Sequence, residues 1–80
     1  MKRILIVEDE EGLLEGLAHN FRFEGYEVLT AKTGQEGLRT ALKQKPDLVL
    51  LDIMLPGKDG FTVLKELRQR HRDIPVLIMT

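Results

Sequence analysis

Four short apolar segments recur along the chain, and a longer amphipathic stretch separates each from the next. They cover residues 3–7, 26–31, 48–51 and 76–79. The segment at 48–51 is an unbroken run of leucine and valine, which is typical of a strand buried on both faces of a parallel sheet. The segment at 26–31 carries polar residues at alternate positions, which favours an edge strand. The pattern therefore predicts four strands.

Helical periodicity fills the intervals between the strands. In residues 10–24, apolar side chains recur along one stripe, formed by Leu13, Leu14, Leu17, Ala18 and Phe21. Gly25 follows them and is suited to end a helix in the left-handed conformation. Thr33 and Glu36 have the form of a capping box, which predicts the start of a second helix, and Pro46 stops that helix.

A third helix is predicted at residues 60–70, with Asp59 as its N-cap. Its inward side chains are predicted to be Phe61, Val63, Leu64 and Leu67. Met54 and Met79 are interpreted as packing residues. The resulting β-α-β-α-β-α-β order predicts an α/β fold with a parallel sheet and right-handed crossovers. The 80 residues are expected to form one domain.

Composition narrows the function classes. The formal net charge is −1, so nothing indicates a nucleic-acid-binding surface. There is no cysteine, which excludes disulfides and thiolate metal sites. No apolar run approaches the ~20 residues of a membrane-spanning helix, and the acidic residues from Glu8 onwards end the N-terminal run too early for a signal peptide. We expect a cytoplasmic protein that contacts neither membrane nor nucleic acid.

Three carboxylates carry the candidate chemistry. Glu8 and Asp9 follow the first strand, and Asp52 follows the apolar run at 48–51. Ligands of open parallel sheets bind at the carboxyl ends of the strands, so these side chains meet if the two strands are neighbours. Two like charges 4 Å apart repel by ~4 kcal/mol at an effective dielectric of 20. Such a cluster must take up a proton or bind a cation.

Oxygen ligands without histidine or cysteine favour Mg²⁺. An acidic pocket with Mg²⁺ suits a phosphoryl group, and an aspartate can then act as the nucleophile and hold an acyl phosphate. Two simpler interpretations stay open at this point. Glu8 or Asp9 could cap the first helix, and Asp52 could be a turn residue.

At these residues the chain resembles the receiver domains of two-component response regulators. The matching segments are ILIVEDE at the first strand, PDLVLLDIMLPGKDG at the third and IPVLIMT at the fourth. The resemblance covers the whole chain, and the combination of the three segments is specific. It implies the flavodoxin-like, CheY-like sheet with strand order 2-1-3-4, in which the first and third strands are neighbours.

The resemblance also implies roles for individual residues. Asp52 would accept a phosphoryl group from the phosphohistidine of a sensor histidine kinase or from a small acyl phosphate. Asp9 and Asp52 would bind Mg²⁺, with Glu8 helping through water and the backbone carbonyl of Met54 as a further ligand. Thr80 would be the switch hydroxyl that turns towards the phosphoryl group.

The chain also departs from the family pattern. Receiver domains continue with a fifth strand and further helices, and a lysine at the end of that strand pairs with the phosphoryl group. Lys58 does not replace that lysine, because it lies in the turn after Asp52. We therefore expect residues 1–80 to be the N-terminal part of a receiver domain. The apolar fourth strand is then expected to be an open edge that pairs with a second copy or a complementary fragment.

The sequence leaves two functions open. The first is a phosphoacceptor signalling module without enzymatic turnover, limited at most to Mg²⁺-dependent autophosphorylation from phosphodonors. The alternative is an excised or engineered receiver fragment that self-associates as a structural building block and has lost the phospho-switch. An aspartate-dependent phosphatase is disfavoured, because Met54 stands where such enzymes commonly place a second aspartate.

Overall fold

Strands and helices alternate throughout the computed structural model, which describes residues 1–70 and 73–79. The strands of this part of the chain are β1 (Arg3–Val7), β2 (Glu27–Ala31), β3 (Leu48–Asp52) and β4 (Val76–Met79). The helices between them are α1 (Glu11–Phe23), α2 (Gly34–Gln44) and α3 (Gly60–Arg70). The predicted element order is confirmed. The observed boundaries differ from the predicted ones by one residue at the start of β2, at the end of β3 and at each end of α1.

The strands form one sheet in the order β2-β1-β3-β4, in which every neighbouring pair is parallel. Val7 lies opposite Leu51 of β3 on one side and opposite Ala31 of β2 on the other. This confirms the predicted order and the prediction that β2 lies at an edge. It also places the carboxyl ends of β1 and β3 side by side.

The helices cover the sheet in two layers. On one face, α1 packs over a buried cluster of Ile4, Ile6, Leu14, Ala18 and Leu50. On the other face, α2 and α3 pack over a larger buried cluster that includes Leu5, Val7, Ala41, Val49, Leu51, Val63 and Leu67. Successive residues of β1 and β3 therefore contribute to opposite clusters, as the alternation of side chains along a strand requires.

Local hydrogen bonds account for the ends of the helices. Thr33 Oγ1 accepts from the Glu36 amide at 3.1 Å, which confirms the predicted N-cap of α2. Asp59 Oδ1 accepts from the Thr62 amide at 2.9 Å and caps α3 as predicted. Gly25 has a φ of 97° just beyond α1, a conformation that glycine adopts without a steric penalty.

Three predictions of packing were wrong. Leu13 and Phe61 are 47% and 61% exposed, and Met54 is 79% exposed. In α3 the buried face is set by Val63 and Leu67, and Phe61 lies two positions before Val63, which is ~200° around the helix. Leu13 lies one position before the buried Leu14, which is ~100° around the helix, so Leu13 also lies off the buried face. Met54 projects from the loop after β3 rather than into either cluster.

Among the described residues, no helix is long and apolar enough to cross a lipid bilayer.

Candidate functional site

Two neighbouring strands bring the three predicted carboxylates together. Asp52 is the last residue of β3, and Glu8 and Asp9 follow directly after β1. Each of the three side chains offers an oxygen, and these oxygens all lie within 4.8 Å of one another. The cluster forms because Val7 and Leu51 are paired in register, so the next residue of each strand emerges at the same edge of the sheet.

The carboxylates differ in their exposure to solvent. Glu8 and Asp52 are only 4% and 8% exposed, whereas Asp9 is exposed. The backbone fixes Glu8 at two points: its amide donates to the Ala31 carbonyl at 3.0 Å, and its Oε2 accepts from the Glu10 amide at 2.9 Å. The pocket therefore has a buried floor of two carboxylates and an exposed third carboxylate at its mouth.

The surroundings of Glu8 in the pocket shift its pKa. Burial raises the pKa of Glu8 above its usual value, and the negative charges of Asp52 and Asp9 raise it further. The hydrogen bond from the Glu10 amide lowers the pKa and offsets part of this effect. The ionised form of Glu8 is therefore disfavoured here, and a cation beside it would relieve that cost.

The N-terminus of α1 is capped by Glu10. Its carboxylate accepts from the amides of Gly12 and Leu13 at 3.1 and 2.8 Å. The alternative that Glu8 or Asp9 caps this helix is therefore wrong. Sequence reasoning placed Glu10 inside the helix, because glutamate is not among the residues favoured at an N-cap. Because Glu10 caps the helix, the carboxylates of Glu8 and Asp9 remain available to the pocket.

Asp52 also organises the loop that follows it. Its Oδ1 accepts from the Met54 amide at 3.1 Å, the contact of an Asx turn, so the turn-residue interpretation is correct for this oxygen. None of the described residues donates to Oδ2. One oxygen of Asp52 is thus held by the loop, whereas the other has no donor among the described residues.

The loop after β3 is fixed to α2 and α3. Gly60 lies so close to the backbone of Asp52 and Ile53 that a Cβ would be 2.7 Å from the Ile53 Cα. Gly34, at the start of α2, lies against the backbone carbonyl of Lys58. The Lys58 Nζ pairs with Glu66 Oε2 at 2.5 Å. Lys58 is thereby engaged along α3.

Two further predicted site residues are Thr80 and Met54. Thr80 lies outside the described residues. The Met54 side chain points to solvent, and the predicted role of its backbone carbonyl as a ligand stays a prediction.

The residues of the pocket fit a magnesium ion. The three side chains supply only oxygen ligands, which Mg²⁺ prefers, and it commonly uses few carboxylates and keeps several waters. Burial and the neighbouring charges of Asp52 and Asp9 raise the pKa of Glu8, so a bound cation would stabilise its ionised form. Glu8, Asp9 and Asp52 are therefore the residues that would hold the ion.

Comparison with known proteins agrees with this geometry. The family model described as the response regulator receiver domain matches residues 4–80. The chain is 47% identical over 79 residues to the alkaline phosphatase synthesis transcriptional regulatory protein PhoP of Bacillus subtilis, covering 99% of this chain and 33% of that protein. It is 44% identical over 82 positions to the DNA-binding dual master transcriptional regulator RpaA of Synechocystis, covering 100% of this chain and 34% of that protein. The chain thus spans about one third of the length of these curated relatives.

Solved structures show the same fold. The N-terminal domain of a response regulator receiver protein from Methanoculleus marisnigri superposes with a TM-score of 0.94 at 36% identity, covering 100% of this chain and 67% of that one. The response regulator TrrA of Thermotoga maritima, solved in complex with Mg²⁺-BeF, gives a TM-score of 0.88 at 42% identity, covering 98% and 66%. The predicted flavodoxin-like, CheY-like fold is confirmed.

The comparisons give no support to the alternative of an excised or engineered building block. The family match extends over almost the whole sequence and includes all three segments on which the resemblance was based. The chain belongs to the family of response regulator receiver domains.

Proposed function

We propose that this chain is the N-terminal part of a receiver domain and serves as a phosphoacceptor module in two-component signalling, with Asp52 as the phosphorylated residue. One observation carries the proposal: Asp52 is nearly buried at the end of β3, and one of its carboxylate oxygens lies within 4.8 Å of oxygens of Glu8 and Asp9. Glu8, Asp9, Asp52 and the Met54 carbonyl are the proposed ligands of Mg²⁺. Thr80 is the proposed switch hydroxyl.

The chemistry follows from the two oxygens of Asp52. Oδ1 is held by the Met54 amide, so Oδ2 is the oxygen that bonds to phosphorus. As this P–O bond forms, the bond from phosphorus to the donor breaks, and its electron pair leaves with the histidine nitrogen or the carboxylate of the donor. The product is an acyl phosphate on Asp52. When bound, Mg²⁺ offsets the charge on the transferring oxygens.

The proposed physiological donor is a sensor histidine kinase, the partner that family membership supports. The similar relatives are named as transcriptional regulators, and one is named as DNA-binding. We propose a cytoplasmic location on that basis, with any contact to DNA made by other parts of such regulators rather than by this one. The module itself accepts a phosphoryl group and is not proposed to turn over a substrate, beyond accepting phosphate from small donors.

Incubation with Mg²⁺ and acetyl phosphate tests the proposal. Intact-mass spectrometry should show one added phosphoryl group in the chain of wild-type sequence and none in Asp52→Asn. The matched control is Asp73→Asn, because Asp73 is exposed and far from the pocket in sequence. An adduct that persists in Asp52→Asn, or one lost equally in Asp73→Asn, would contradict the assignment.

We also propose that β4 is the edge through which copies of this 80-residue chain associate. Among the described residues, β4 pairs only with β3, and its Leu77 is 58% exposed. Exposed apolar edge strands pair readily with other chains. Sedimentation across a dilution series should show self-association that Leu77→Lys weakens. A compact monomer at every concentration would contradict it.

A further inference from the structure

A groove of about 450 Å³ lies between α2 and α3, on the opposite face of the sheet from α1. Its apolar residues are Leu38 and Leu42 of α2. Its charged residues come from both helices and the loop between β3 and α3, and they are Arg39, Lys43, Lys58 and Arg70. None of the carboxylates of the acidic pocket lines it, so this is a separate site.

The charge of the groove has a single sign. No acidic side chain is among its lining residues. Two other grooves of the described structure mix both signs. One places Lys45 beside Asp47 and Asp73, and the other places Glu11 and Glu15 beside Arg22 and Lys32. The α2–α3 groove is therefore distinguished by lining charges that are all positive.

Three of these four cations form no ion pair within the described part of the chain. Lys58 pairs with Glu66, but Arg39, Lys43 and Arg70 are exposed and form no ion pair with any described residue. Arg39 and Lys43 are four positions apart on α2, a spacing at which like charges repel and disfavour the helix. This repulsion destabilises the folded chain unless an anion from outside the chain balances the positive charges.

The apolar part of the groove lies directly beside the cations. Leu38 precedes Arg39 and Leu42 precedes Lys43, so leucine and cation recur together at the helical repeat of four residues. Leu38 is almost buried and Leu42 is half-buried, which makes them a floor rather than a protruding patch. A matching ligand needs apolar groups and carboxylates at a similar spacing.

We propose that the α2–α3 groove docks an acidic amphipathic helix of a partner protein. Apolar side chains of that helix, three and four positions apart, would rest on Leu38 and Leu42. Its flanking carboxylates would pair with Arg39, Lys43 and Arg70. A protein helix fits better than a nucleic acid, because the floor formed by Leu38 and Leu42 needs apolar side chains, which a phosphate backbone does not present.

A synthetic helical peptide of glutamate and leucine, with leucines three and four positions apart, is the probe. Added to the 15N-labelled chain, it should shift backbone amides of α2 and α3 and leave those of α1 unchanged. Replacing the leucines with serine, or the glutamates with glutamine, should abolish the shifts. The double variant Arg39→Gln/Lys43→Gln should weaken binding by about tenfold or more.

The matched control is Lys2→Gln/Lys65→Gln, which removes the same charge from exposed positions outside the groove. It should bind the peptide like the unmodified chain. Arg70→Gln gives a second test at the end of α3 if the double variant unfolds. Equal affinity in groove and control variants would overturn the proposal. So would tighter binding of single-stranded DNA than of the peptide at the same amides, or peptide shifts confined to α1.

Discussion

The Cα of Gly60 lies against the backbone of Asp52, so closely that a Cβ on residue 60 would overlap the Asp52 carbonyl oxygen. The Gly60 amide also donates to the Ile53 carbonyl at 2.9 Å. The first residue of α3 therefore packs directly against the last residue of β3. The position of the carboxylate depends on a residue that contributes no functional group.

Gly60→Ala should disturb both the fold and the pocket. The clash is with backbone rather than with a flexible side chain, so α3 must shift, and we expect a loss of about 1–3 kcal/mol in the free energy of unfolding. Urea denaturation measures this loss. Gly16→Ala on α1 is the control, because a Cβ there meets nothing within 4 Å, and it should stabilise the chain by up to ~1 kcal/mol. Equal changes in the free energy of unfolding for the two variants would contradict the close approach of Gly60 to the backbone of Asp52.

Leu67→Ala should be strongly destabilising. Leu67 is 1% exposed between α3 and the sheet, so its truncation leaves a cavity and should cost about 2–5 kcal/mol. Phe61→Ala, on the same helix, removes a larger side chain that is 61% exposed. It should change stability by no more than about 0.5 kcal/mol. Thermal or urea unfolding of the pair tests which face of α3 is buried.

Glu8 should make stability depend on pH in the absence of divalent cations. Its pKa is raised in the folded state, so the folded chain binds the proton more tightly than the unfolded chain. This contribution is fully present below the ordinary pKa of 4.5 and is lost as the pH rises through the raised value. In a chelating buffer, Glu8→Gln should therefore gain stability relative to the unmodified chain as the pH rises towards neutral. A difference that stays constant across the range would rule out Glu8 as the source.

Magnesium should stabilise the fold through the same pocket. A ligand that binds only the folded state adds about 2.7 kcal/mol when its concentration is a hundred times its dissociation constant. The gain should be lost in Asp9→Asn and in Asp52→Asn and retained in Asp73→Asn. Differential scanning fluorimetry with increasing Mg²⁺ measures it. Equal stabilisation of all variants would mean that the ion acts elsewhere.

The order of elements could be predicted because it depends on patterns with a strong physical cause, whereas the neighbouring positions of β1 and β3 were implied only by the resemblance to receiver domains. An unbroken apolar run such as 48–51 is typical of a strand covered on both faces. Thr33 and Asp59 cap their helices as predicted, because the hydrogen bond of a cap is local in sequence.

The errors lie where several residues compete for one role. Glu8, Asp9 and Glu10 are chemically similar, and only the backbone path after β1 decides that Glu10 caps α1. Phe61 is apolar and lies near the predicted helix face, but the rotation of α3 about its axis is set by Val63 and Leu67 against the sheet. The approach of Gly34 to the Lys58 carbonyl joins distant parts of the chain, and no local pattern indicates it.

The pairing of β1 with β3 has a consequence for the folding pathway. Ile4 pairs with Leu48, and the whole β1-α1-β2-α2 segment lies between them, so this contact closes the longest loop between paired strands of the sheet. Contacts of such sequence separation are slow to form, because the entropy of closing the loop is lost before the contact is gained. Glu8 and Asp52 therefore meet only when β3 pairs with β1. Their mutual repulsion opposes this pairing, and it does not oppose formation of the β1-α1-β2-α2 segment or of the part of the chain that begins with β3.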